Sequence, residues 1–298
     1  MKRGFVALVG RPNAGKSTLL NRLVGEKLAI VSDKPQTTRN RIVGVRRYPG
    51  GEVVFIDTPG IHRPLHRLNV RMVDAALETL RDADAVVAVV DASEPPGAGD
   101  RFLMDIMRNV RVPRVLAFNK ADLVAKPALL PRMAAYHDAP GFADIVPVSA
   151  LTGENLDRLE QVLLSHLPEG EPLYPEDYLT DQPERFFVAE LVREQVLRQT
   201  HDELPFSSAV VVDKFEEGPM LHLYCTILVE RNSQKPILIG KGGAAIKSIG
   251  TAAREELERF FQTKVYLDLH VKVRERWRED ERTLDELGVE GRRKRRRT

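Results

Sequence analysis

The sequence contains a single cysteine and no long apolar run. Cys225 cannot form a disulfide within the chain or a zinc site built from several cysteines, and we expect a buried thiol because it lies in the strand-like run 221–229. No apolar run approaches the roughly 18 residues of a membrane-spanning helix. The apolar stretch near the N-terminus leads directly into a glycine-rich loop, which is not typical of a signal peptide. We therefore expect a globular, cytoplasmic protein.

The formal net charge of +2 conceals an uneven distribution. Six basic residues follow one another at positions 292–297; without them 39 basic residues remain against 43 acidic ones, and the charge becomes −4. Such a run cannot build a core, so we expect a mobile arm that attracts polyanions. The simpler alternative is an end that only aids solubility.

The glycine-rich loop fits the pattern Gly-x4-Gly-Lys-Ser and stands between a predicted strand at 5–9 and a predicted helix. A loop of this kind directs backbone N–H groups and a helix N-terminus at phosphates. Lys16 is expected to reach the β- and γ-phosphates, and Ser17 to offer its hydroxyl to Mg²⁺. The residues assigned to the nucleotide here are Gly10, Arg11, Pro12, Asn13, Ala14, Gly15, Lys16, Ser17 and Thr18.

Two later segments supply the remaining phosphate and metal groups. A predicted strand ends in Asp57, Thr58, Pro59 and Gly60, where the carboxylate can hold Mg²⁺ through water and the last N–H can meet a γ-phosphate. In the polar loop before it, we favour Thr38 over the adjacent threonine as a further metal ligand. Lys16, Thr38, Asp57 and Gly60 are the predicted catalytic residues, and Ser17, Thr38 and Asp57 the predicted metal ligands.

Strands then alternate with helices, which predicts a doubly wound, mainly parallel sheet with its ligand beyond the carboxyl ends of the strands. Asn119, Lys120 and Asp122 follow one such strand. A carboxylate at Asp122 can accept two hydrogen bonds from the N1 and N2 groups of guanine, which adenine lacks. The next strand ends in Ser149, Ala150 and Leu151, which are placed to give an N–H to the guanine O6.

The second half has the element order of a type II KH domain, an RNA-binding fold. After four prolines between 168 and 183, we predict an amphipathic helix from 184 to about 201, two strands, a Gly-x-x-Gly loop between two short helical segments, a last helix at 252–261 and a strand at 265–273. The residues assigned to RNA surround that loop: Ile239, Gly240, Lys241, Gly242, Gly243 and Lys247.

The nucleotide motifs resemble the translation-factor-related GTP-binding domains, and segments 31–39, 57–62, 231–237 and 266–273 with Trp277 resemble the Era family of bacterial GTPases. This resemblance implies an α/β, P-loop GTPase fold with a doubly wound, mostly parallel sheet, followed by a smaller α+β type II KH domain. We expect the G domain at 1–168, a proline-rich linker at 169–183, the KH domain at 184–276 and a C-terminal segment at 277–298.

The resemblance also implies a function. Era-like proteins hydrolyse GTP to GDP with Mg²⁺ and bind single-stranded 16S rRNA near its 3′ end, as a GTP-controlled switch in biogenesis of the small (30S) ribosomal subunit. They are cytoplasmic and associate peripherally with the inner membrane. Asn13 matches the asparagine of potassium-stimulated relatives, which makes K⁺ a candidate cofactor. We expect a monomer.

Two other classes of function remain open at this point. A GTP-dependent RNA-modifying enzyme can share such a G domain, but it needs a further catalytic domain for which no residues are left over. A structural RNA-binding adaptor would carry a degenerate G domain, whereas Lys16, Ser17, Asp57, Asn119 and Asp122 are intact.

Overall fold

The computed structural model describes residues 1–61, 64–136, 141–202 and 204–289. The basic run at 292–297 lies outside these residues, as does His62 at the end of one motif. Among the helices described, none is long and apolar enough to cross a membrane.

The first domain is built on a six-stranded sheet in the order β2-β3-β1-β4-β5-β6. All neighbouring strands are parallel except β2, which forms an antiparallel hairpin with β3. The doubly wound, mostly parallel sheet is therefore confirmed. Its strands are β1 (Lys2–Gly10), β2 (Ile42–Tyr48), β3 (Gly51–Asp57), β4 (Ala85–Asp91), β5 (Arg114–Asn119) and β6 (Asp144–Pro147).

Helices cover both faces of this sheet. Alternate side chains of β1 point to opposite faces, so that Val6 and Leu8 pack with α1 and α5, while Ala7 and Val9 pack with α2 and α3. The helices are α1 (Lys16–Val24), α2 (Arg67–Asp82), α3 (Ala98–Met107), α4 (Lys126–Ala134) and α5 (Leu156–His166).

Two of these helices differ from the sequence prediction. We did not predict α4, and none of its residues is fully buried, so it lacks the apolar stripe that reveals a surface helix. The helix α3 begins four residues before the predicted start at 102. Asp100 explains this earlier start, because its carboxylate accepts the Gly97 N–H at 2.9 Å and caps the first turn.

The second domain packs helices against a three-stranded sheet in the order β7-β8-β9. The β7–β8 pair is antiparallel and the β8–β9 pair is parallel. Cys225 on β8 is fully buried, as predicted. The elements are α6 (Glu184–Gln199), α7 (Leu204–Ser207), β7 (Ala209–Glu216), β8 (Leu221–Val229), α8 (Lys235–Ile239), α9 (Ala244–Phe261), β9 (Val265–Val273) and, beyond the sheet, α10 (Glu281–Glu286).

Two predictions for this domain are wrong in detail. The helical segment after the Gly-x-x-Gly loop and the predicted last helix are one continuous helix, α9; Gly250 lies inside it rather than ending it. The helix α6 is not amphipathic, because Arg193, Glu194 and Gln195 are as buried as its apolar residues. Its polar side faces the first domain, where Glu194 meets Lys27 at 2.7 Å.

The proline-rich segment between the domains lies on the G domain. Leu173, Tyr174 and Tyr178 cover the outer face of β2 and β3. The Leu179 carbonyl accepts the Val45 N–H at 2.8 Å, which extends the hydrogen bonding of the edge strand β2.

Buried residues of both domains also form one joint cluster. Leu68 and Met72 of α2 pack against Leu228 and the fully buried Trp277. Because α2 follows the Asp57 motif, the nucleotide-facing half of the first domain is in direct contact with the second.

Candidate nucleotide and RNA sites

The glycine-rich loop connects β1 to the start of α1. Gly15 precedes this helix with φ +93°, and a Cβ there would lie 2.2 Å from the Asn119 side-chain nitrogen. Glycine is required on both counts. The loop borders a cavity of about 50 Å³. Predicted site residues that line this cavity are Pro12, Asn13, Gly15, Lys16, Ser17, Thr18, Thr38 and Gly60.

The metal-site hydroxyls and carboxylate that we predicted lie together beneath the loop. Ser17 Oγ is 2.7 Å from both Asp57 Oδ2 and Thr38 Oγ1, and Thr38 Oγ1 donates to the same carboxylate oxygen at 3.3 Å. The neighbouring Thr37 instead donates its hydroxyl to the Lys34 carbonyl. The structure thus places the Thr38 hydroxyl, not that of Thr37, beside Ser17 and Asp57.

The electrostatics of this site suit a phosphate and a divalent cation. Burial lowers the pKa of Lys16 and raises the pKa of Asp57, because desolvation penalises each charge. Asp57 Oδ1 is also buried and has no hydrogen-bond partner among the described residues. A cation near the carboxylate and an anion near the ammonium would remove both penalties.

Asn119 connects the loop to the predicted base site. Its side-chain nitrogen donates to the Ala14 carbonyl at 2.8 Å, and its oxygen accepts the Ala150 N–H at 2.9 Å. One buried amide thus fixes the phosphate loop and the strand end after β6 relative to each other. Asp122 and Leu151 are exposed at this edge, so the carboxylate is free of the core and accessible to a base.

An acidic residue that we did not predict organises the other side of the loop. Asp91, the last residue of β4, accepts a hydrogen bond from Lys120 at 2.6 Å and lies 3.7 Å from Arg11. Although burial opposes it, hydrogen bonding from Lys120 and Ser93 lowers the pKa of Asp91. An aspartate at the carboxyl end of a parallel strand is the sequence signal that could have identified it.

The residues after Asp57 contribute mainly through the backbone. The Thr58 hydroxyl donates to the Leu8 carbonyl at 2.8 Å and so faces the sheet. The Ile61 N–H donates to the Gly10 carbonyl at 3.0 Å, which holds Gly60 beside the phosphate loop. The Ile61 side chain is fully buried. It has no polar atom with which to orient a water molecule.

The predicted RNA loop is a tight turn before α9. Gly240 has φ +73°, and a Cβ there would lie 2.7 Å from the Ala245 N–H nitrogen. Lys241 and Gly242 at the tip are exposed, and so is Lys247 one turn into the helix. The backbone N–H groups and two ammonium groups of this region are accessible to a phosphate chain.

A cleft beside the loop extends this surface. It has a volume of about 330 Å³ and lies between α9 and β9. Its residues combine cationic, polar and apolar side chains, which suits unstacked bases along a backbone. We predicted only Lys247 of this set: Ile246, Lys247, Gly250, Thr251, Arg254, Leu267 and Leu269. The helical spacing of 247, 250, 251 and 254 could have identified the α9 members.

The loop that carries Thr38 is anchored in the second domain. The Arg193 guanidinium donates to the Thr37 carbonyl and to both oxygens of Glu190. The Glu194 carboxylate accepts the Val31 N–H at 3.2 Å. Arg39 donates to the Ser208 carbonyl at 2.8 Å. Both ends of this loop therefore contact the KH domain.

Comparisons with known proteins agree with this geometry. Residues 5–120 match the family described as 50S ribosome-binding GTPase, and residues 203–278 match the KH domain family. The chain is 51% identical to GTPase Era of Geobacter metallireducens over 96% of this chain and 97% of the relative. It is 52% identical to GTPase Era of Geobacter sp. strain M21 over 97% and 98%. The chain belongs to the Era family of GTPases.

Two solved Era structures share the whole fold. One is Era in complex with MgGDPNP and nucleotides 1506–1542 of 16S ribosomal RNA, with a TM-score of 0.94 and 41% identity over 97% of this chain and 99% of that chain. The other is a point variant of Aquifex aeolicus Era bound to GDP.AlF4-, with the same TM-score and identity over 97% and 100%. Membership of the family and the two-domain order predicted from the sequence are confirmed.

Proposed function

We propose that this protein is a GTPase whose nucleotide state controls its binding to single-stranded RNA at the 3′ end of 16S rRNA during assembly of the small ribosomal subunit. The observation that carries the proposal is the position of residues 37–39. Thr38 lies at the metal site, while the Thr37 carbonyl and the Arg39 guanidinium are bound by the KH domain. A change at the phosphates is thereby transmitted to the RNA-binding half. The Era relative solved with MgGDPNP and 16S rRNA supports the proposal that this protein binds both a guanine nucleotide and 16S rRNA.

We assign the phosphate and metal roles to the residues around the loop. Lys16 would bind the β- and γ-phosphates, and the Gly60 N–H would bind the γ-phosphate. Ser17 and Thr38 would hold Mg²⁺ by their hydroxyls and Asp57 through water; no group of three His, Cys, Asp or Glu side chains competes for it among the described residues. When bound, Mg²⁺ would neutralise negative charge on the phosphates.

We assign guanine recognition to the opposite edge. Asp122 would accept two base donors, and the N–H groups of the 149–151 segment would meet the guanine O6. Asn119 acts by positioning, because both ends of its amide are engaged by the protein. Lys120 adds a second restraint through Asp91.

We assign RNA binding to the KH loop and the adjoining cleft. Phosphates would follow the loop at 240–243 with Lys241 and Lys247, and bases would enter between α9 and β9. The domain limits that fit this division are 1–168, 169–183, 184–276 and 277–298. We further propose a monomer that acts in the cytoplasm with a peripheral association to the inner membrane, on family resemblance; co-sedimentation with inner-membrane vesicles tests that association.

The decisive experiment measures RNA affinity in both nucleotide states. A fluorescent single-stranded RNA with the 3′ sequence of 16S rRNA is titrated with protein saturated with GDP or with a non-hydrolysable GTP analogue. The double variant Lys241→Asp, Gly242→Asp should weaken RNA binding at least about tenfold, since a hydrogen bond to a charged group contributes roughly 1.5–3 kcal/mol. Its GTP affinity should remain that of the wild type.

Lys264→Asp is the matched control. It reverses one lysine charge, as Lys241→Asp does, at an exposed position of the KH domain outside the cleft. If both variants lost RNA affinity equally, the loss would reflect the overall charge of the KH domain and not a binding site at its loop. Equal RNA affinity in both nucleotide states would show that GTP does not control RNA binding. If the protein did not bind GTP at all, it would instead be the structural RNA-binding adaptor considered above.

A further inference from the structure

A cavity of about 410 Å³ lies between the two domains, away from both sites described above. Residues 39–41 of the G domain form one side of it. The first turns of α6, the start of β7 and residues 286–289 form the other side. Junctions between domains are common places for small-molecule sites, and this volume is within their usual range.

The cavity carries an excess of positive charge. Four arginines line it, namely Arg39, Arg41, Arg185 and Arg193, against two glutamates; Arg41 also lies 3.6 Å from Asp181, which is outside the lining. Both glutamates are already engaged: Glu190 is bound by Arg193, and Glu286 lies 2.5 Å from Arg274. No carboxylate in the part of the chain that the structure describes forms an ion pair with Arg39 or Arg185, although the Glu190 charge acts on Arg39.

Two of these guanidinium groups have a buried N–H donor without a hydrogen-bond partner among the described residues. Arg193 has a side chain only 2% exposed, yet its Nη1 has no hydrogen-bond partner among the described residues. Arg39 Nε is likewise buried and unpartnered within them. Burial, together with the nearby Arg193 charge, lowers the pKa of Arg39 to about 9. Unpaired buried donors of like charge are costly unless an anion satisfies them.

The N-terminus of α6 adds a further anion-binding element. This helix has 16 residues, and Pro183, Arg185 and Phe186 at its start line the cavity. Its first N–H groups and macrodipole favour negative charge at that end. Arg185 and Arg193 stand eight residues apart, which corresponds to roughly 12 Å along a helix axis.

The wall between these two positive ends is apolar. Ala189, Val210 and Val212 line the cavity, and so do Leu287 and Val289. An occupant that matches this arrangement is elongated, with an uncharged body and negative groups near its ends. The basic run at 292–297 has the same sign of charge as the cavity, so it does not complement it.

We propose that this interdomain cavity binds a small phosphorylated molecule, with phosphate groups at the α6 N-terminus and at Arg193. The site is separate from the nucleotide site, since no residue of the loop at 10–18 lines it. Because Arg39 belongs to the loop at 31–39, which carries Thr38, the ligand would join this loop to the KH domain.

The test is a calorimetric titration of the full chain in saturating GDP and Mg²⁺, so that the phosphate loop is filled. The probes are inorganic phosphate and adenosine 3′,5′-bisphosphate, at constant ionic strength. We expect saturable binding of both, with the bisphosphate tighter. Arg185→Gln and Arg193→Gln should each weaken it about tenfold or more, the effect of one lost hydrogen bond to a charged group.

Arg198→Gln is the matched control, because Arg198 lies on the same helix, pairs with Glu194 and does not line the cavity. It should bind both probes as the wild type does. Arg185 is exposed, so its variant should fold normally, and unchanged GDP affinity verifies this for Arg185→Gln and Arg198→Gln. Because Arg193 also binds the Thr37 carbonyl, the fold of Arg193→Gln is verified by its circular dichroism spectrum instead. Three results would overturn the proposal: a loss of probe affinity in Arg198→Gln equal to that in Arg185→Gln, wild-type affinity for both probes in Arg185→Gln, or no saturation by about 10 mM bisphosphate. The proposal would also be overturned if the variants changed the affinity for RNA but not the affinity for the two probes.

Discussion

Arg39 lies against Trp277, with its guanidinium carbon 5.5 Å from the centre of the indole ring. Its Nη1 donates to the Ser208 carbonyl, while the indole N–H donates to the Ser207 carbonyl at 2.9 Å. Both side chains are buried. A desolvated cation–π contact contributes about 2 kcal/mol. The residue that follows Thr38 is thus fixed in the core of the domain interface.

Trp277 is the only tryptophan, so its fluorescence reports on this interface. Arg39→Gln removes the charge and should loosen the contact, making Trp277 emission more sensitive to quenching by acrylamide. Lys34→Gln in the same loop is the control, because the Lys34 ammonium lies 3.7 Å from Asp33 of its own loop and away from the interface. Wild-type quenching in Arg39→Gln would show that other contacts hold the domains together.

Much of the nucleotide site could be predicted because its signals are local. The strand, turn and helix around Lys16 occupy one stretch of chain, and each later motif stands at the end of an apolar strand. The parallel sheet then brings these strand ends to one edge. Asn119 and Ala14 meet in this way although 105 residues separate them.

The domain interface could not be predicted in the same way. Arg193 and Thr37 are 156 positions apart, and nothing near either residue indicates the other. Charges on α6 read as an exposed polar face, because buried charge is rare unless it is paired. Here some of the partners belong to the other domain, namely Lys27 for Glu194 and the Thr37 carbonyl for Arg193, so the periodicity of α6 alone predicted the wrong exposed face.

Guanine specificity should depend on Asp122. Asp122→Asn replaces a carboxylate, to which we assign two hydrogen bonds from the base, by an amide that can accept only one. GTP affinity should fall by about 10²-fold or more, since each hydrogen bond to a charged group contributes roughly 1.5–3 kcal/mol. Xanthosine triphosphate, which carries an oxygen in place of the guanine amine, should gain affinity. Competition titrations with both nucleotides measure this, and unchanged GTP affinity would remove the assignment.

Cys225 should make the stability of the KH domain depend on pH in the alkaline range. Burial raises the pKa of this thiol from 9.0 to about 12. The folded state therefore disfavours the thiolate, and the stabilisation is complete below pH 9 and is lost as the pH rises from 9 towards 12.

Urea denaturation of the wild type and of Cys225→Ala, at about pH 8 and about pH 10.5, tests this dependence. Between these values the wild type should lose about 1–2 kcal/mol more of its free energy of unfolding than the variant, which has no group to ionise. Parallel losses would show that Cys225 is not the titrating group.

Hydrolysis should be slow without help, because Ile61 occupies the position where a glutamine orients the attacking water in Ras-like enzymes. The intrinsic rate of such enzymes is of the order of 10⁻⁴ s⁻¹. A monovalent cation beside the phosphates can supply the charge that an arginine finger otherwise provides. Asn13 is our candidate ligand for it, by its resemblance to the asparagine of potassium-stimulated relatives. It stands in the phosphate loop with φ +62°, and its side-chain nitrogen donates to the Asp33 carbonyl at 2.7 Å.

We therefore expect faster GTP hydrolysis in KCl than in NaCl at equal ionic strength, with the difference lost in Asn13→Ala. Single-turnover phosphate release measures the chemical step directly, and GTP affinity measured in parallel separates it from binding. Because Asn13 also joins the phosphate loop to the loop at 31–39, the rate of the variant in NaCl provides the control: it should equal that of the wild type in NaCl. A lower rate in both salts would mean that Asn13 acts only by holding the two loops together, and equal wild-type rates in both salts would exclude K⁺ as a cofactor.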